Sequence, residues 1–131
     1  RSFAAGDGFL PSEAAVCVLL KPLAEARRDG DRVHGVIRAV ALNHGGSGAG
    51  YTSPNLGAQI ALLQETLRRA DAGSADIGWI ESAANGAPLL DAVEFAALSH
   101  VFADAPRPLP VGSVKSWLGH AEAASGLVQL A

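Results

Sequence analysis

An α/β fold is predicted by three features of this 131-residue sequence. An uninterrupted apolar run, Ala14–Leu20, has the composition of a short strand buried on both faces, because a strand with one wet face would alternate. Apolar residues Ile60, Leu63 and Leu67 keep helical spacing within residues 56–70. Further short apolar segments, Ile77–Glu81 and Val111–Val114, fall on either side of a second helical stretch. Strands and helices that alternate along a chain point to a sheet with helices packed on its faces.

The elements are predicted in order as follows. The Ala14–Leu20 strand lies between Pro11 and the pair Lys21-Pro22. Cys17, inside that run, reads as a small core residue, since free cysteine packs like a small hydrophobe. A brief helix, Leu23–Arg28, closes at the turn Asp29-Gly30-Asp31, and Val33–Leu42 follows as a second strand. The stretch from Asn43 to Gly50 is a glycine-rich loop that faces a ligand or acts as a hinge. Ser53-Pro54 supplies a cap and a first-turn proline for the helix Leu56–Ala70. Ile77–Glu81 is a short strand, residues 82–90 a loop, and Asp91–Phe102 a helix with Val93, Ala96, Ala97 and Val101 on one side. Pro106 to Pro110 breaks that helix. Val111–Val114 is a strand, Lys115–Gly119 a loop, and a final helix runs from Ala121.

Bulk properties narrow the function classes. Apolar residues make up 49% and charged residues 18%, with a net charge of −3, the profile of a soluble globular protein without the basic excess of a nucleic-acid binder. The longest uncharged stretch near the start is broken by Pro11, Ser12 and Glu13, and has no basic leader. It therefore reads as neither a signal peptide nor a membrane span, which needs about 20 apolar residues. One cysteine cannot form an internal disulfide, which suits a cytoplasmic location. Glycines 45–50 lack the dinucleotide-binding spacing and the lysine of a phosphate loop. His34, His44, His100 and His120 do not fall at metal-ligand spacing, so no metal is expected. The pairs Arg27-Arg28 and Arg68-Arg69 read as solvated helix faces. The abrupt start at Arg1 and the apolar run from Ala121 to Ala131 read as a piece of a longer chain.

The segment Gly112-Ser113-Val114-Lys115-Ser116-Trp117-Leu118-Gly119-His120-Ala121-Glu122-Ala123-Ala124-Ser125-Gly126 resembles a signature of ketosynthases, the β-ketoacyl synthase family. Asp7 to Glu13, Leu23 to Ile37 and Asn43 to Asn55 follow the family's order and spacing. Asn43-His44-Gly45-Gly46 with Tyr51-Thr52-Ser53-Pro54-Asn55 is most similar to ketosynthases of modular polyketide synthases served by a trans-acting acyltransferase. The resemblance implies the layered α-β-α-β-α thiolase-like architecture. The chain would be an internal fragment of one such domain, with residues 1–50 ending the N-terminal half and residues 51–131 starting the C-terminal half.

The resemblance also implies the chemistry. The family uses one cysteine, which carries the acyl chain and lies upstream of the region matched here, and two histidines that stabilise the enolate left by decarboxylation. His120 matches the second histidine. Its place just before a helix lets the helix N-terminus disfavour a protonated ring. Lys115 matches the active-site lysine, and Glu122 is a candidate partner for its charge. The family's His-Gly-Thr-Gly-Thr loop corresponds to Ala83-Ala84-Asn85-Gly86-Ala87, so Ala83 stands where the first histidine belongs. A methyl group neither donates a hydrogen bond nor holds a proton. This resembles the non-elongating ketosynthases, which pass an acyl chain on without lengthening it. Trp117 stands where the family commonly has asparagine. Alternative readings are a non-catalytic module that positions carrier proteins, and an elongating enzyme in which Asn85 or Trp117 substitutes as donor. No cofactor is implied on the chain itself; acyl groups would arrive on the phosphopantetheine of an acyl carrier protein. The other implied partners are the remainder of the domain and a second copy in a homodimer.

Overall fold

The computed structural model describes Phe3, residues 8–46 and residues 53–131. The remaining positions, which include Asp7, Tyr51, Thr52 and the end of the glycine-rich loop, lie outside the described residues.

Helix α1, Leu23–Asp29, ends on Gly30 at φ 74°, the left-handed conformation that a Cβ disfavours. Lys21 bridges Asp29 and Asp31 across the turn. Helix α2, Leu56–Ala70, matches its predicted span, but Ser53 is not its cap. Asn55 holds that place: its Oδ1 accepts the Ala58 N–H at 3.0 Å while its Nδ2 donates to the Gly45 carbonyl at 2.8 Å. An amide can satisfy the helix and the incoming loop together, which a hydroxyl in the preceding turn cannot. On the outer face of α2, Arg68 and then Arg69 draw the Glu65 carboxyl down to about 2. Such a lowered group stabilises above the ordinary carboxylate range and stops doing so as pH falls toward 2, by a small amount for a surface pair.

Strands β1, Ile80–Glu81, and β2, Val111–Gly112, pair in parallel with Ile80 opposite Val111 and Glu81 opposite Gly112. Between them runs helix α3, Pro88–Val101, which packs on α2. It starts three residues before the predicted Asp91 because Pro88 fits a first helical turn, where no N–H is required. The predicted loop at Lys115 is instead a short helix, α4, Lys115–Leu118. The final helix opens with a 3₁₀ turn, Glu122–Ala124, and continues as α5, Ser125–Leu130. None of the described helices is long and apolar enough to cross a membrane.

Two predicted strands are corrected. Neither Ala14–Leu20 nor Val33–Leu42 forms a strand, because a strand exists only through a hydrogen-bonded neighbour and neither run has one among the described residues. The second run is tied to α2 by arginines instead: Arg38 donates to the carbonyls of Ala70 and Asp71, and Arg69 to that of Val40 at 3.0 Å. Cys17 is exposed, not a core residue, for the same reason. Leu19 and Leu42 are 95% and 90% exposed, so an apolar run made for a sheet interior stands uncovered here. The buried apolar residues are Ala26, Ala84, Ala97, Leu98 and Ala121. Among the described residues, four of these five are alanines.

Candidate active site

The site is built at the C-terminal ends of β1 and β2. Immediately after β1, residues 82–86 turn away from the sheet and are pinned from four directions. From the sheet side, the Ser82 N–H donates to the Gly112 carbonyl at 2.8 Å and the Ser82 hydroxyl to the same oxygen at 3.0 Å. From α5, Gln129 donates to the Ser82 carbonyl at 2.6 Å. From α3, Glu94 accepts the N–H of Ala83 at 2.7 Å and of Ala84 at 2.9 Å, one through each oxygen. Asp91, one helical turn earlier, accepts the Gly86 N–H at 3.0 Å. Residues three apart on a helix share a face, so both carboxylates reach one loop. Ala84, buried at 2% exposure, is held at φ 39° in the left-handed region.

Lys115 arrives from the fourth direction. The Glu81 carboxylate accepts the Val114 N–H at 2.6 Å, which fixes the start of α4. Its first residue then extends Nζ to the Ala83 carbonyl at 2.9 Å. Lys115 and Ala83 are thereby brought together. Glu122 is not part of that contact: it is exposed, and no ion pair joins it to Lys115 among the described residues. Its backbone, at φ 48°, has a different use.

His120 is seated by a segment from the far end of the chain. Its N–H donates to the Leu10 carbonyl at 2.8 Å, its own carbonyl accepts the Ser12 N–H at 3.0 Å, and Pro11 and His120 form an isolated parallel bridge. Phe9 lies against the imidazole with ring centroids 4.4 Å apart. Gly119 permits this approach, since it takes φ 81° and a Cβ there would stand 2.9 Å from the Leu10 carbonyl oxygen. Nδ1 of His120 accepts the Glu122 N–H at 3.0 Å. A backbone N–H can only donate, so Nδ1 presents its lone pair and a neutral ring carries its proton on Nε2. Trp117 does not fill space beside Ala83; it is 88% exposed.

Sequence reading missed Glu94, Gln129, Ser125 and the Phe9–Ser12 seat. The available signal was Asp91 and Glu94, two acids at helical spacing directly after a small-residue loop. Replacing Glu94 with Ala is expected to free the amides of Ala83 and Ala84, at a cost of about 1.5–3 kcal/mol for each charge-assisted bond lost. Hydrogen exchange of residues 82–86 in the intact domain measures this directly; unchanged protection would show that the clamp is not what orders the loop.

Comparison with solved structures defines the class. The oxazolomycin ketosynthase domain OzmH KS7 of Streptomyces albus JA3453 superposes with a TM-score of 0.93 at 45% identity, covering 99% of this chain and 23% of that one. The ketosynthase from module 6 of the Bacillus subtilis bacillaene synthase gives 0.79 at 30% identity, over 84% of this chain and 20% of that one. These are ketosynthase domains of thiolase-like fold, and the elements described here are a part of that fold.

Residues 34–131 match the β-ketoacyl synthase C-terminal domain, and the chain belongs to that family as part of a ketosynthase domain of modular polyketide synthase type. The polyketide synthase ThaG of Burkholderia thailandensis is 44% identical over 131 residues, which span 97% of this chain and 2% of that protein. PksR of Bacillus subtilis is 41% identical over 133 residues, 99% of this chain and 5% of that protein. The chain therefore spans a small fraction of the relatives it matches.

Proposed function

We propose that the intact domain accepts acyl chains from a carrier protein and passes them on without decarboxylative condensation. The observation that carries this reading is Ala83: a methyl group stands in the strapped loop that Lys115 contacts, at the position matching the family's first histidine. Condensation generates an enolate whose developing charge needs donors, and removing one such donor costs about 3–4 kcal/mol, or roughly 100- to 1,000-fold in rate. Thioester exchange makes no enolate. It needs a thiolate and donors to one tetrahedral oxyanion, a demand that His120 with its Nε2–H can help to meet.

In this reading Lys115 orders the Ala83 loop and supplies positive charge, His120 is the remaining imidazole donor, and Glu122 contributes its backbone rather than its carboxylate. The nucleophilic cysteine belongs to the part of the domain preceding this segment. Residues 1–50 end the N-terminal half and residues 51–131 start the C-terminal half. The bare apolar side chains of residues 19–42 fit coverage by the remainder of the domain. The acyl group arrives on a carrier protein's phosphopantetheine arm, in a cytoplasmic, homodimeric assembly of the trans-acyltransferase type.

The test loads the intact domain from an acyl-carrier thioester, follows the adduct by intact-protein mass spectrometry, and then offers malonyl-carrier. An acyl adduct without extended product is expected. A robust β-keto product would overturn the proposal, and failure to acquire any acyl group would favour a non-catalytic module instead.

A further inference from the structure

Ser125 takes no part in the steps of the proposed reaction, yet it is buried at the first position of α5 with 9% exposure. Its hydroxyl oxygen lies 3.2 Å from Nδ1 of His120. That nitrogen already accepts the Glu122 N–H, so its lone pair faces both groups and the hydroxyl can only donate to it. The ring has no other hydrogen bond among the described residues. Lys115 is engaged with the Ala83 carbonyl and the Glu122 side chain is exposed, so no ionised group holds the imidazole.

We propose that Ser125 is a positioning residue for His120, fixing the plane of the imidazole whose tautomer the Glu122 amide sets. The backbone amide alone leaves the ring free to tilt about a single bond. A second donor from the neighbouring helix, with Phe9 against one face, fixes the plane of the ring. The inference rests on the proposed role of His120, since an Nε2–H donor is what a thioester carbonyl would meet.

Long-range ¹⁵N–¹H correlation of the intact, ¹⁵N-histidine-labelled domain tests it, with the His120 signals assigned from a His120→Gln variant. The unaltered domain is expected to show the Nε2–H pattern, and finding the proton on Nδ1 overturns the proposal without any further variant. Ser125→Ala is expected to keep the proton on Nε2 but to move the Nδ1 resonance downfield, the direction for a ring nitrogen that loses a hydrogen-bond donor. Ser125→Thr, which keeps the hydroxyl, is expected to restore the original pattern. An identical pattern in the Ala and unaltered proteins would refute the role. Because the spectrum is read without substrate, it stands or falls separately from acyl loading, whose failure would count only against the functional reading.

Discussion

Ala83→His in the intact domain is expected to raise condensation about 100- to 1,000-fold, measured as β-keto product formed from malonyl-carrier. The expectation is large because the site is otherwise assembled. The backbone at residue 83 is held through its N–H by Glu94 and through its carbonyl by Lys115, so a new imidazole would start from an ordered main chain. Ala83 is exposed among the described residues. A folded variant with no gain would mean that the missing imidazole is not what limits extension. Attention would then turn to Asn85 or Trp117 as substitute donors, although the exposed indole of Trp117 argues against the latter.

Gly119→Ala is expected to be strongly disruptive for a single methyl. The residue sits at φ 81°, and the new Cβ would meet the Leu10 carbonyl oxygen at 2.9 Å and Ser12 Cβ at 3.0 Å. Left-handed backbone costs a residue with a Cβ about 1–2 kcal/mol, and a clash with main chain cannot be relieved by rotating a side chain. A loss of at least about 2 kcal/mol in the intact domain is therefore expected by denaturant unfolding, together with loss of the His120 seat. Gly126→Ala is the control. It lies inside α5 with nothing within 4 Å of its would-be Cβ, so it should be neutral or stabilising by up to about 1 kcal/mol. Equal behaviour of the two variants would contradict the close approach at Gly119.

Legibility followed locality. Helix α2 could be read because its apolar spacing lies within one segment, and its cap was misplaced by two residues only because an asparagine side chain reached both ways. The runs Ala14–Leu20 and Val33–Leu42 were read as strands from composition, but pairing is a relation between distant segments and composition does not supply the partner. Lys115 and His120 were found through resemblance, not through periodicity. Their contacts were hidden for the same physical reason: the Ala83 carbonyl is 32 residues from Lys115, and Ser82 is 47 from Gln129. Asp91 and Glu94 were visible as a pair of acids, yet only coordinates reveal that their target is a row of backbone amides.

The bridge between Pro11 and His120 joins positions near opposite ends of the chain. Closing so large a loop is entropically unfavourable and is repaid only when both segments are in place. During synthesis the residues around Phe9 must wait, unmated, until the segment around His120 has emerged. The imidazole's resting place cannot mature before both segments exist, and partly assembled chains would carry the ring without the posture that gives it a purpose.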